Sequence, residues 1–131
     1  MIYLALLFAL LYSFVRGICE GIVFYFPNPR NHIWFRWYHP LRIMEAIALI
    51  TATISASKVN YAASDIWFVL GAVFLIWELF ELGYKLARKE QVEGHENVLG
   101  IISLDNIRLV HILHFTRCAI GLLSLIIWRA V

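Results

Sequence analysis

The sequence predicts an all-α integral membrane protein: a four-helix bundle of antiparallel, up-down transmembrane helices in one domain over residues 1–131. Three observations predict it. Of the 131 residues, 62% are apolar and only 15% charged, with a mean hydropathy of +0.76, whereas a soluble domain averages about 45–50% apolar and about 25% charged. Uncharged apolar runs recur at 1–15, 46–57, 66–77 and 118–128. Prolines and polar clusters fall between them. A soluble domain of this size has too little interior to hide so much apolar surface, which argues against a soluble enzyme. Disorder, a disulfide scaffold and collagen-like repeats are excluded by the same composition. A net charge of +2 is too small to suggest a nucleic-acid binder.

None of the four runs reaches the roughly 20 residues a helix needs to cross the hydrocarbon. Each span therefore extends through neighbouring ionisable residues, to about 1–26, 39–57, 64–86 and 108–129. Each is helical, because only a helix satisfies its own backbone within lipid. The first opens MIYLALLFALLYSF, without a basic leading region or a small-x-small cleavage site, and reads as a retained span rather than a signal peptide. Pro27, Asn28 and Pro29 stop it. Pro40 suits the first turn of the second. Ser64 or Asp65 caps the third, and Asp105 or Asn106 the fourth. The short connection 58–63 makes spans two and three an antiparallel hairpin. The longer connection 87–107 is polar, with Glu90, Glu93, His95 and Glu96, and its segment VLGII (98–102) suits the membrane surface.

Basic residues set the expected orientation. Arg30, Arg36, Arg42, Lys85, Arg88, Lys89 and Arg108 share one side, and only Lys58 and Arg129 lie on the other. Loops 27–38 and 87–107 are therefore expected in the cytoplasm and both termini outside. Tyr25, Trp34, Trp37 and Tyr38 suit the inner interface, and Tyr61, Trp67 and Trp128 the outer one.

Extending the spans brings ionisable residues into the bilayer, all in the cytoplasmic half. They come late in spans one (Arg16, Glu20) and three (Glu78, Glu81, Tyr84, Lys85) and early in spans two (His39, Arg42, Glu45) and four (His111, His114, Arg117). Each such group costs about 2.5–3.5 kcal/mol at membrane depth, so they are expected to converge on one another or on a cavity. The spacings favour this: Arg16/Glu20 are i,i+4, and Arg42/Glu45, Glu78/Glu81 and His111/His114 are i,i+3, so each pair shares a helix face.

Several chemistries fit such a layer. With Arg16–Glu20 and Arg42–Glu45 paired locally, Glu78, Glu81, His111 and His114 remain as candidate ligands for a divalent Zn, Fe or Mn ion. Arg16, Glu20 and Glu45 would orient them from behind. Four-helix carboxylate bundles hold metals with Glu and Glu-x-x-His sets, whereas here helices three and four carry Glu-x-x-Glu and His-x-x-His. Such a metal would activate water or oxygen against a lipid-soluble substrate. A haem would take His111 or His114 with His39 as axial ligands. His39, Arg42 and Arg117 are alternatively contacts for an anionic headgroup, a thiol or a quinone. The third class is non-enzymatic: a small subunit or homo-oligomer whose polar residues hold helices together, at about 0.6–2 kcal/mol per contact. In that class Glu78 and Glu81 pair with Arg117 and Lys85, the histidines bridge helices, and Cys19 and Cys118 are small packing residues.

Arg36 in the first loop, Arg42-x-x-Glu45 and the stretch GAVFLIWELFELGY (71–84) are similar in texture to the membrane-associated eicosanoid and glutathione metabolism proteins. The likeness covers about 60 residues. It implies a four-span fold, a trimer and binding of a glutathione-like thiol by Arg and His. The chain departs from that pattern with Arg42 where an Asn stands, with Trp77 and Glu78 where an arginine is expected, and in the long 87–107 loop.

Overall fold

Four helices hold most of the described chain: α1 (Ile2–Val23), α2 (Tyr38–Ser57), α3 (Ile66–Ala87) and α4 (Ile107–Ala130). The computed structural model describes residues 1–24, 28–88, 96–98, 102–104 and 107–131, with the backbone alone at 96–98, 102–104, 107, 108 and 110. All four helices are long and apolar enough to cross a membrane. Their ends agree with the expected spans to within a turn.

Local chemistry explains the boundaries. Phe24 closes α1, its N–H bonding back to the Glu20 carbonyl at 2.9 Å; the expected stop at Pro27 lies outside the described residues. Asn28 Oδ1 accepts the Arg30 N–H at 2.9 Å and starts a 3-10 turn, Pro29–Asn31. A second turn, Phe35–Trp37, runs straight into α2, whose first turn carries Pro40, where no N–H is needed. A third, Ala63–Asp65, leads into α3. Asp65 occupies the N-cap position as expected, but its side chain turns away from α3. One carboxylate oxygen accepts the Ala62 N–H and the other the Trp128 indole N–H, each at 2.6 Å. This ties the end of α4 to the start of α3. Asp105 and Asn106 lie outside the described residues. Within the long loop, β1 (Glu96–Val98) pairs antiparallel with β2 (Ile102–Leu104), Asn97 opposite Ser103, an element the polar composition of this loop did not suggest.

The chain runs up and down through the helices, but sequence neighbours are not always packing neighbours. The closest pair is α1 with α3, running parallel; α2 packs on α1, and α4 packs on α3. The expected α2–α3 hairpin is not a principal interface, since both helices pack against α1 instead. Small residues explain this choice. Apolar side chains gain little by leaving lipid for protein, so helices associate where backbones can approach closely. Gly17-x-x-x-Gly21 on α1 meets Gly83-x-x-x-Ala87 on α3. A Cβ at Gly17 would overlap the Phe80 carbonyl oxygen and sit 2.9 Å from the Tyr84 nitrogen. One at Gly83 would overlap the Phe14 carbonyl oxygen. On another face of α3, a Cβ at Gly71 would lie 2.8 Å from the Gly121 carbonyl oxygen of α4. The α1–α2 seam buries Ala5, Ala48, Ala52 and Ser55. Large apolar side chains such as Leu7, Ile43, Ile50, Phe115 and Ile126 point outward.

Two anchors close the ends. Trp128 meets Phe68 and Tyr3 with ring centroids 5.0 and 5.8 Å away. At the opposite end His32, buried, holds the first loop to α3. Its Nδ1 accepts the Trp34 N–H at 3.0 Å, so its Nε2 carries the proton and donates to the Ala87 carbonyl at 2.5 Å. That carbonyl belongs to the last turn of α3, where intrahelical donors run out.

Candidate functional site

Contacts between the helices bring several of their ionisable residues onto neighbouring turns. The Ser13 hydroxyl donates to the Ile76 carbonyl at 2.5 Å, and Gly17 lies against Phe80 and Tyr84. Arg16 and Glu20 therefore stand beside the turns of α3 that carry Glu78, Glu81 and Lys85. Because α2 rides on α1 and α4 on α3, the described contacts gather in two clusters rather than in one cavity.

The α1–α2 cluster centres on Glu45, which is buried. Arg16 Nη1 donates to its Oε1 at 3.1 Å and Arg42 Nη1 to its Oε2 at 2.5 Å. Arg16 also pairs with Glu20 one turn along its own helix. Both local pairs expected from the i,i+4 and i,i+3 spacings are present, and the Arg16–Glu45 bond joins them. Two arginines and two glutamates make the cluster formally neutral. Both Glu45 oxygens are engaged by guanidinium groups, the arrangement in which a charge is tolerated away from water. His39, nearly one turn before Arg42, is exposed.

The α3–α4 cluster centres on His114. Its Nδ1 meets the Glu78 carboxylate, and its Nε2 lies 2.6 Å from Lys85 Nζ. An ammonium only donates, so Nε2 accepts, and the ring proton sits on Nδ1, facing Glu78. Arg117 is buried, its Nη1 3.7 Å from the other Glu78 oxygen and its guanidinium carbon 4.2 Å from the centre of the Trp77 ring. This is an ion pair without a short hydrogen bond, supplemented by a cation–π contact. The Trp77 indole N–H donates to Glu81 at 3.3 Å. With His114 neutral, Glu78, Glu81, Lys85 and Arg117 balance.

Of the four candidate metal ligands, the structure brings Glu78 and His114 together. Glu81 turns to Trp77, and His111 is exposed. The Nε2 lone pair that a metal would use on His114 accepts from Lys85, and a second cation, Arg117, adjoins the carboxylate. Among the described residues, no group of three or more His, Cys, Asp or Glu side chains is placed to hold a metal ion. The three candidate anion contacts are likewise divided: His39 and Arg42 lie on α2, Arg117 on α4. Tyr84 accepts a hydrogen bond from Arg88, whose guanidinium carbon lies 5.4 Å from the centre of its ring. His95 lies outside the described residues.

Sequence reasoning passed over His32 and the glycines. The glycines had a legible signal, small residues four apart at 17/21 and 83/87. His32 had none, because its partners are a helix end 55 residues away and a turn N–H. Comparison with known protein families, characterised proteins and solved structures gave no match.

Proposed function

We propose that the chain is a small, non-enzymatic membrane protein, a subunit or self-associating component, whose polar layer locks four membrane-spanning helices together. The observation that carries this reading is the fate of the carboxylates. Glu20, Glu45, Glu78 and Glu81 each meet a cation, an imidazole or an indole N–H, and three of these contacts cross between helices. Groups spent on one another in this way stabilise a fold rather than present a reactive centre. The many exposed apolar side chains along the helices suit acyl chains or a second copy. The basic residues around the first loop and the end of α3 favour an orientation with those loops in the cytoplasm and both termini outside.

Three measurements test this. Cysteine labelling in sealed vesicles should find position 58 and the termini on one face and position 36 on the other. Metal analysis of detergent-purified wild type and His111→Ala/His114→Ala should give equal, substoichiometric metal. Stoichiometric metal lost in the double variant would restore the metal reading and remove this one. The alanine variants should lower helix assembly and leave no separable catalytic defect.

A further inference from the structure

Beyond a static lock, the geometry points to a proton relay in which His114 links Lys85 to Glu78 across the α3–α4 interface. Three groups of graded basicity stand in line: an amine, an imidazole and a carboxylate. As placed, a Lys85 proton points at His114 Nε2, and the Nδ1 proton of the same ring points at Glu78. A concerted shift moves the first proton from Nζ to Nε2 and the second from Nδ1 to the Glu78 oxygen. The starting state holds a lysine cation, a neutral imidazole and a carboxylate. The final state holds a neutral amine, the other neutral tautomer of the imidazole and a carboxylic acid. No proton is gained or lost, no covalent bond between heavy atoms changes, and both hydrogen bonds survive with donor and acceptor exchanged.

The charged state has the intrinsic basicities on its side, since an amine holds a proton more tightly than a carboxylate does, and burial works against it. Removing two charges is favoured where the surroundings are apolar. Arg117, 3.7 Å from the second Glu78 oxygen, favours charge on the carboxylate. Among the described residues, Glu81, through Trp77, and Cys118 on α4 are further ionisable groups near this interface. The histidine is what makes the relay possible: it is the one side chain that accepts on one atom while donating from another and can exchange those roles by tautomerisation. A glutamine at 114 would hold two hydrogen bonds but pass no proton.

Histidine-selective nitrogen NMR of the full chain in bilayer nanodiscs tests this, with His114 assigned by its absence in His114→Gln. In the wild type, both ring nitrogens should resonate between the protonated and unprotonated positions, the average of two exchanging tautomers. Glu78→Gln removes the proton acceptor and Lys85→Met the donor; either should leave a single tautomer. The carbonyl stretch of a protonated carboxyl should appear in the wild-type infrared spectrum and vanish in Glu78→Gln. A single tautomer in the wild type, a doubly protonated ring, or averaging that persists in a folded Glu78→Gln or Lys85→Met protein would each overturn the relay. None of these outcomes alters the helix-locking reading, which rests on assembly and metal content.

Discussion

Adding one methyl group at Gly17 should destabilise the protein more than the same change at Gly121, although helix propensity predicts a gain at both. In a helix interior Gly→Ala is worth about 1 kcal/mol of stabilisation. At Gly17 the new Cβ meets backbone: the Phe80 carbonyl oxygen in overlap, the Tyr84 nitrogen at 2.9 Å and the Phe80 carbonyl carbon at 3.0 Å. Backbone of a packed helix cannot step aside, so α1 and α3 must separate. Overpacking of this kind costs about 1–3 kcal/mol and occasionally more. Separation also weakens the Ser13–Ile76 hydrogen bond of 2.5 Å, worth about 0.6–2 kcal/mol between membrane helices. Set against the propensity gain, the net loss for Gly17→Ala is about 1–4 kcal/mol. At Gly121 the nearest obstacles are Leu75 Cγ and Cδ2, at 2.9 and 3.0 Å, with the Gly71 carbonyl oxygen at 3.3 Å. A leucine tip can rotate, so Gly121→Ala should fall within about 1 kcal/mol of wild type. Unfolding in mixed micelles by increasing SDS fraction, followed by helical circular dichroism and tryptophan emission, measures both. If Gly17→Ala is as mild as Gly121→Ala, the close approach of α1 and α3 is not what holds the central pair together.

Three further outcomes follow from the contacts. Glu45→Ala should be worse than Arg42→Ala in the same unfolding assay, by about 1–3 kcal/mol, because it leaves Arg42 without its carboxylate and Arg16 with Glu20 alone, whereas Arg42→Ala leaves Glu45 paired with Arg16; replacing Arg42 and Glu45 together by apolar residues, with Arg16 still on Glu20, should recover much of the loss. His32→Ala should cost about 1–2 kcal/mol through loss of the bond to the α3 end, with increased proteolysis of the 28–37 loop as its local signature. Asp65→Ala should release the Trp128 indole and shift its emission, while Asp65→Asn, which keeps an acceptor, should retain part of that contact.

How much was legible in the sequence varies by residue. Glu45 with Arg42 and Arg16 with Glu20 were readable because a helix places i,i+3 and i,i+4 neighbours on one face wherever the helix goes. That Glu45 would also take Arg16 was not, since it depends on which face of α1 meets α2. The pairing of Glu78 with Arg117 was anticipated from opposite charge; Lys85 on His114, which argues against a metal at that nitrogen, was not, since charge alone assigns a lysine to a carboxylate.

By itself the sequence determined the helices, their approximate ends and which charged neighbours share a helix face, because composition and periodicity act locally along the chain. Only the tertiary structure decided which helices touch. That choice rests on steric fit between glycine faces far apart in sequence, with α1 and α3 meeting first and α2 and α4 taking separate flanks. The same fit divided the charged groups into two clusters, and so decided which acids, bases and imidazoles can exchange a proton.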